Sequence, residues 1–308
     1  MKRFFILATA AIVALASCAK TEVVYKDGPQ EIAFKALNGV MTKAPVLNTT
    51  FPTTQGMDVL AWNGRTGAAY FGPETFTYDN TSAWVGSEKQ YWPTTGSLDF
   101  VAYTNSGVNY TDDTPARLTY NFTLTDNTQN QDDFMVSKYV KGKESQQAAV
   151  SLYFQHTLAL VEVNVACTGQ DLTVNSVSLS GTTQDGKLTV TYADSDAAVP
   201  TFGTGWTGST VTSATLTKTT DVTLTAGEDA TTYADFLVVP ENSSNKTLTV
   251  TYTLNGNQFT HPINLSSYQN ATSWAIGTKY IYNVTIGLNE IKFAPQVVDW
   301  AEGTTSVM

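Results

Sequence analysis

From Glu31 onward, apolar and polar positions alternate with a period of two, the pattern of strands that bury one face. In Lys187-Leu188-Thr189-Val190-Thr191-Tyr192, the residues Leu188, Val190 and Tyr192 fall on one face, opposite Thr189 and Thr191. This run follows Gln184-Asp185-Gly186, and Val174 to Ser180 alternates upstream, so a hairpin turning on Asp185-Gly186 is expected. A second hairpin is expected where Thr247 to Leu254 meets Asn255-Gly256 and returns through Gln258 to Leu265. Leu158 to Val165 sets Val161, Val163 and Val165 against Glu162 and Asn164, and Tyr282, Val284, Ile286 and Leu288 repeat the alternation near the end. Beyond the N-terminal segment no stretch of about twelve residues carries an amphipathic helical stripe, so helices should be few and short.

Strands recurring about every 8–12 residues with turn signals between them imply an all-β chain of antiparallel β-sandwich domains. The polar interval Lys141-Gly142-Lys143-Glu144-Ser145-Gln146-Gln147 is the best boundary, which gives an N-terminal sandwich over 31–146 and a C-terminal one over 147–308. Each is long enough for a core of its own.

The first residues have a different character. Lys2 and Arg3 precede an apolar stretch from Phe4 to Ala16 that is too short to span a bilayer. It ends in Leu15-Ala16-Ser17-Cys18, which resembles the lipobox of bacterial lipoproteins. The resemblance implies a signal peptide over 1–17 and cleavage between Ser17 and Cys18. It also implies acyl chains such as palmitate on Cys18, and residues 18–30 as a tether. More than one acyl chain gives stable anchoring, so the expected location is the outer membrane and cell surface.

Composition narrows the partners. Removing residues 1–17 takes two of the 17 basic residues and none of the 27 acidic ones, leaving a net charge of −12. Such a chain repels nucleic acid. Of the two cysteines, lipidation uses Cys18, and Cys167, within Val163-Asn164-Val165-Ala166-Cys167, reads as a buried strand residue.

Catalytic parts are missing: there are two histidines, His156 and His261, and no His-Glu-x-x-His, Cys-x-x-Cys or Gly-x-Ser-x-Gly. His156 reads as structural and His261, before Pro262, as a strand-edge residue. Gly203 to Gly208 matches Gly-x-Gly-x-x-Gly without a strand before it or a helix after it, and reads as a loop. Asp112-Asp113, Asp132-Asp133 and Asp194-x-Asp196 lack the spacing of a calcium loop. No enzyme activity, metal or cofactor is expected. Six tryptophans offer material for a glycan platform, but Trp92, Trp274 and Trp300 lie beside strand patterns, where large aromatics fill cores.

Several segments taken in order resemble the fimbrillin-like proteins of Bacteroidota, within the type V pilin superfamily. They are Thr42-Lys43-Ala44, Tyr91-Trp92-Pro93, Leu98-Asp99-Phe100-Val101-Ala102-Tyr103, Asp133-Phe134-Met135-Val136, Phe154-Gln155-His156, and Tyr280-Ile281-Tyr282-Asn283-Val284 through Val298-Asp299-Trp300. The resemblance implies two transthyretin-like sandwiches in tandem and a subunit of a fimbrium serving cell adhesion. It further implies assembly by strand exchange once a trypsin-like protease removes the first strand. Carried over, the cut falls between Lys43 and Ala44, with Lys35 as runner-up inside the strand. Cutting at Arg65 would leave too little of the first domain.

The residues add support of their own: Glu31-Ile32-Ala33-Phe34-Lys35-Ala36 and Glu290-Ile291-Lys292-Phe293-Ala294-Pro295 share Glu-Ile-x-Phe. Loss of Ile32, Phe34 and Ala36 would open an apolar groove flanked by unpaired backbone. The segment near 290–300, with Ile291, Phe293, Val297 and Trp300, is the expected donor. Filling such a groove would gain on the order of 10 kcal/mol before ordering costs. An ordinary pair of edge strands, each closing its own domain, explains the same pattern. The expected partners are therefore identical or related pilin subunits, the outer membrane through lipid before maturation, and a trypsin-like protease. The alternative is a non-polymerising surface lipoprotein or tip adhesin that binds glycan.

Overall fold

The computed structural model describes residues 29–38, 51, 56–79, 84–104, 109–114, 117–123, 131, 133–145, 148–192, 206–208, 213–288 and 290–300. Among them the chain is all-β, as its alternation predicts. The only helical elements there are two 3-10 turns, Leu265–Ser267 and Gln269–Ala271.

The first sheet follows the order β2 (Met57–Asn63), β3 (Ala69–Tyr78), β4 (Trp84–Gly86), β1 (Phe34–Asn38), β10 (Val150–His156), β8 (Met135–Ser137), β5 (Ser97–Thr104) and β9 (Val140–Glu144). Because β2 also pairs with β5, seven of these strands close into a ring, which removes the free edges that an open sheet leaves. Inside lie Met57, Val59, Ala61, Leu98, Phe100 and Ala102 with the side chains of β1 and β10. Leu60, Trp62, Val101 and Tyr103 point the other way into a second core. That double burial accounts for the nearly unbroken apolar runs in β2 and β5.

A four-stranded sheet ordered β14 (Trp206–Gly208), β13 (Asp185–Thr191), β7 (Arg117–Thr123) and β6 (Asn109–Thr114) adds Leu118, Tyr120, Phe122, Leu188 and Val190 to that second core. Two further four-stranded sheets run β16 (Thr231–Val238), β11 (Ala159–Cys167), β19 (Thr278–Ile286), β20 (Ile291–Asp299), and β15 (Ser213–Leu224), β12 (Leu172–Thr183), β17 (Thr247–Leu254), β18 (Asn257–Asn264). Their apolar faces share the same core, and Val161, Val163 and Val165 of β11 are fully buried.

The Asn255-Gly256 hairpin forms as expected, with φ of 52° and 75° at the two turn residues. The other hairpin does not. β12 pairs with β15 and β17, while β13 pairs with β7 and β14, and Asp185-Gly186 starts a strand. Backbone pairing also crosses residue 146, because β10 belongs to the first ring and β13 pairs with β7. The polar interval that suggested a boundary is largely β9, an edge strand in which Lys141 and Lys143 are half-buried and Glu144 is exposed. Leu288 lies just past the end of β19 and is 58% exposed, off the buried face expected for it. Of the glycine-rich segment, Trp206–Gly208 is β14 and not a loop; 201–205 lie outside the described residues.

Candidate functional site: the seats of the first and last strands

β1 alternates cleanly, with Ile32, Phe34 and Ala36 buried and Ala33 and Lys35 exposed. It runs parallel to β10 over five register pairs, from Phe34 opposite Val150 to Asn38 opposite Phe154, and Val150 N donates to Ala33 O at 2.8 Å. Its other edge is paired with β4 only at Phe34 and Trp84. Before the strand, Ile32 N donates to Gln90 O and Trp92 N to Gln30 O, both at 2.8 Å. Lys89 pairs with Glu31 at 2.7 Å, and the Glu31 carboxylate, by hydrogen bond first and charge second, raises the Lys89 pKa. Both side chains are largely in water, so the pair orients the segment and adds little stability.

Apolar contact adds to the ladders that hold β1. Phe34 packs edge-on between Phe76, at 4.9 Å, and Phe100, at 5.3 Å, and Phe51, Trp84, Leu152 and Phe154 line the same cavity. Without residues 32–36 that wall, one edge of β10 and one of β4 would meet solvent.

β20 pairs antiparallel with β19 over nine register positions and forms the edge of its sheet. Ile291, Phe293, Pro295 and Val297 share its inner face. Phe293 is buried against Tyr268 and Tyr282, with centroids 4.6 and 5.1 Å away, while Ile291 is half-buried and Val297 is 49% exposed. Pro295 fits an edge strand, where a missing N–H can face water. Trp300 follows the strand and stacks flat on His156. Ile291, Phe293, Val297 and Trp300 are thus brought onto one strand and its end, all but Val297 packed on their own core, and well separated in the chain from Ile32, Phe34 and Ala36. Ser17, Cys18, Lys43 and Ala44 lie outside the described residues. Lys35 is exposed but sits within a paired strand.

His156 pairs through Nδ1 with Asp133 Oδ2, a structural contact as anticipated. His261 is exposed on edge strand β18. Cys167 is buried in β11, and desolvation, with Asp171 adding to it, pushes its thiol pKa up. No group of His, Cys, Asp and Glu suited to a metal occurs among the described residues. Asp132, Asp194 and Asp196 lie outside them. The tryptophans serve the core: Trp62, Trp84, Trp92 and Trp274 are buried, and Trp206 and Trp300 pack against the larger cluster. The exposed aromatics among the described residues are instead Phe259, on edge strand β18, and Tyr70 and Tyr91, which are joined where the Tyr70 hydroxyl donates to Tyr91 O at 2.9 Å. Sequence reasoning missed this pair, because strand alternation does not mark a residue at a sheet's outer rim.

The family model described as fimbrillin-like matches residues 42–300. Similar solved structures include a candidate cell adhesion protein of Bacteroides uniformis, 21% identical, covering 88% of this chain and 99% of that one with a TM-score of 0.56. A fimbrial protein of Bacteroides vulgatus is 14% identical, with 87% and 99% covered and the same TM-score. A candidate cell adhesion protein of Bacteroides ovatus is 13% identical, with 89% and 98% covered and a TM-score of 0.53. At these identities the likeness is one of fold. No curated protein matches the chain.

Proposed function

Since the chain belongs to the fimbrillin-like family, we propose that it is a fimbrial subunit of the cell surface, exported as a lipoprotein through Cys18 and assembled by protease-triggered strand exchange. The observation that carries this reading is the seat of the first strand. Ile32, Phe34 and Ala36 fill the interior of a ring that β1 completes with five register pairs on one side and one on the other. A strand seated by backbone pairing and by alternate side chains in an apolar slot can be replaced by another of like pattern. Glu290-Ile291-Lys292-Phe293 repeats Glu31-Ile32-Ala33-Phe34, so Phe293 of a second subunit would take the place of Phe34 between Phe76 and Phe100.

The backbone suits the same register. Ala33 O faces β10, so odd-numbered residues of β1 direct their amides to β10 and even-numbered ones away from it. Pro295 would occupy the Ala36 position, where its missing N–H costs no bond to β10. Cleavage between Lys43 and Ala44 frees β1 and separates the body from its lipid, which makes the anchor of Cys18 temporary. Digestion of the lipid-free chain with a trypsin-like protease is expected to give one stable fragment beginning at Ala44, followed by oligomers. A fragment that stays monomeric, or digestion throughout the chain, would refute the proposal.

A second reading, a tip adhesin or surface lipoprotein that binds glycan and keeps its first strand, is favoured by exposed Tyr70 and Tyr91. It calls for glycan-array binding that is lost in Tyr70→Ala, Tyr91→Ala.

A further inference from the structure

The β19–β20 register places Thr278 opposite Asp299, so Trp300 emerges beside Gly277. Gly277 N donates to Leu158 O at 2.9 Å, and a Cβ on Gly277 would lie 3.4 Å from His156 O, so the corner 156–158 borders the end of the last strand. There the Trp300 indole lies on the His156 imidazole, with centroids 3.8 Å apart and planes 10° apart.

The imidazole is held in place from several sides. Its Nδ1 pairs with Asp133 Oδ2, and both side chains are mostly buried. The next residue, Thr157, donates to Phe134 O through its backbone N at 3.0 Å and its hydroxyl at 2.5 Å. Thr157 O accepts from Trp206 Nε1 at 2.7 Å. The platform under Trp300 is therefore rigid.

The strand ahead of it is not comparably fixed. β20 is an edge; Lys292, Ala294 and Gln296 are exposed, and beyond Phe293 its inner face offers half-buried Pro295 and exposed Val297. Its side-chain anchors are thus Ile291 and Phe293 near the start and Trp300 at the end. His156 is also the last residue of β10, the strand whose other edge seats β1. One strand thus carries both the first strand's seat and the last strand's fastening.

We infer that Trp300, His156 and Asp133 form a clasp that keeps the last strand in its own sheet and sets how often that strand opens. The role of the opened strand rests on the strand-exchange reading; the clasp belongs to the monomer and is tested there. The experiment is residue-resolved hydrogen exchange on the uncut, lipid-free chain. Trp300→Ala is expected to speed exchange of the paired amides of β20 about three- to tenfold, the scale of one aromatic stack, with β11 unchanged as the sign of an intact fold. His156→Gln keeps a donor toward Asp133 but removes the ring face, and should loosen β20 similarly. The double variant should exceed neither single one, and Trp300→Phe should restore most of the protection. Unchanged β20 exchange in both single variants, or effects that multiply in the double one, would overturn the clasp. Loosened β20 in a trimmed wild type that never assembles would count against strand exchange and leave the clasp standing.

Discussion

Phe34 meets Phe100 edge-on across the interior of the first ring, with centroids 5.3 Å apart and planes at 81°. The same ring meets Phe76 at 4.9 Å. Phe76 belongs to β3 and Phe100 to β5, strands that do not pair with each other. A residue of the short first strand therefore bridges two walls of the ring.

Phe34→Ala in the intact chain should cost about 3–5 kcal/mol, the range for deleting a buried phenylalanine side chain. Lys35→Ala, one position along on the exposed face, should stay within about 0.5 kcal/mol. Urea melts of the two variants compare them directly.

At the other end, Phe293 is the side chain that would enter the emptied seat. Phe293→Ala should leave cleavage after Lys43 unaffected and stop oligomer growth. Size-exclusion chromatography of the trimmed variant should show a monomer where the parent gives a series.

Asp99 is buried in β5, accepting from the Tyr139 hydroxyl and from Gly142 N, each at 2.7 Å. Asp99→Ala leaves two donors without their acceptor, at a cost of about 1–3 kcal/mol for each that stays buried. Asp99→Asn retains an acceptor and should lose less, as thermal melts would show.

Asp235 faces Glu162 across the β11–β16 ladder, and desolvation first, then the Glu162 charge, raises its pKa against the opposing pull of Lys279. A carboxyl whose folded pKa is raised binds more protons folded than unfolded, so its contribution to stability falls as pH rises from about 3.8 through the folded value. Asp235→Asn should therefore be more stable than wild type at neutral pH. Its advantage should shrink as pH falls through that window, in denaturant titrations at a series of pH values.

Alternation made much of this fold legible: β11 buries Val161, Val163 and Val165, and Asn255-Gly256 turns the β17–β18 hairpin. Period two gives the face of a strand but not its partner. Leu188, Val190 and Tyr192 are buried as expected, yet β13 pairs with β7, far back in the chain, and not with adjacent β12. Likewise the pattern of Ile32 and Phe34 showed a half-buried strand, while its parallel seat on β10 came only from closure of the ring. The contact of His156 with Trp300 had no local signal, since it depends on where β19 and β20 end.

The central claim, that the first strand must leave its seat before subunits join, can be tested by locking it there. Lys35 and Ser151 are register partners on neighbouring parallel strands, at a spacing of about 4.8 Å that a disulfide can span. Lys35→Cys with Ser151→Cys, in a chain carrying Cys18→Ser, should be cleaved after Lys43 yet remain monomeric while oxidised, and should assemble when reductant is added. Oligomers forming equally well from the oxidised and the reduced chain would contradict the account.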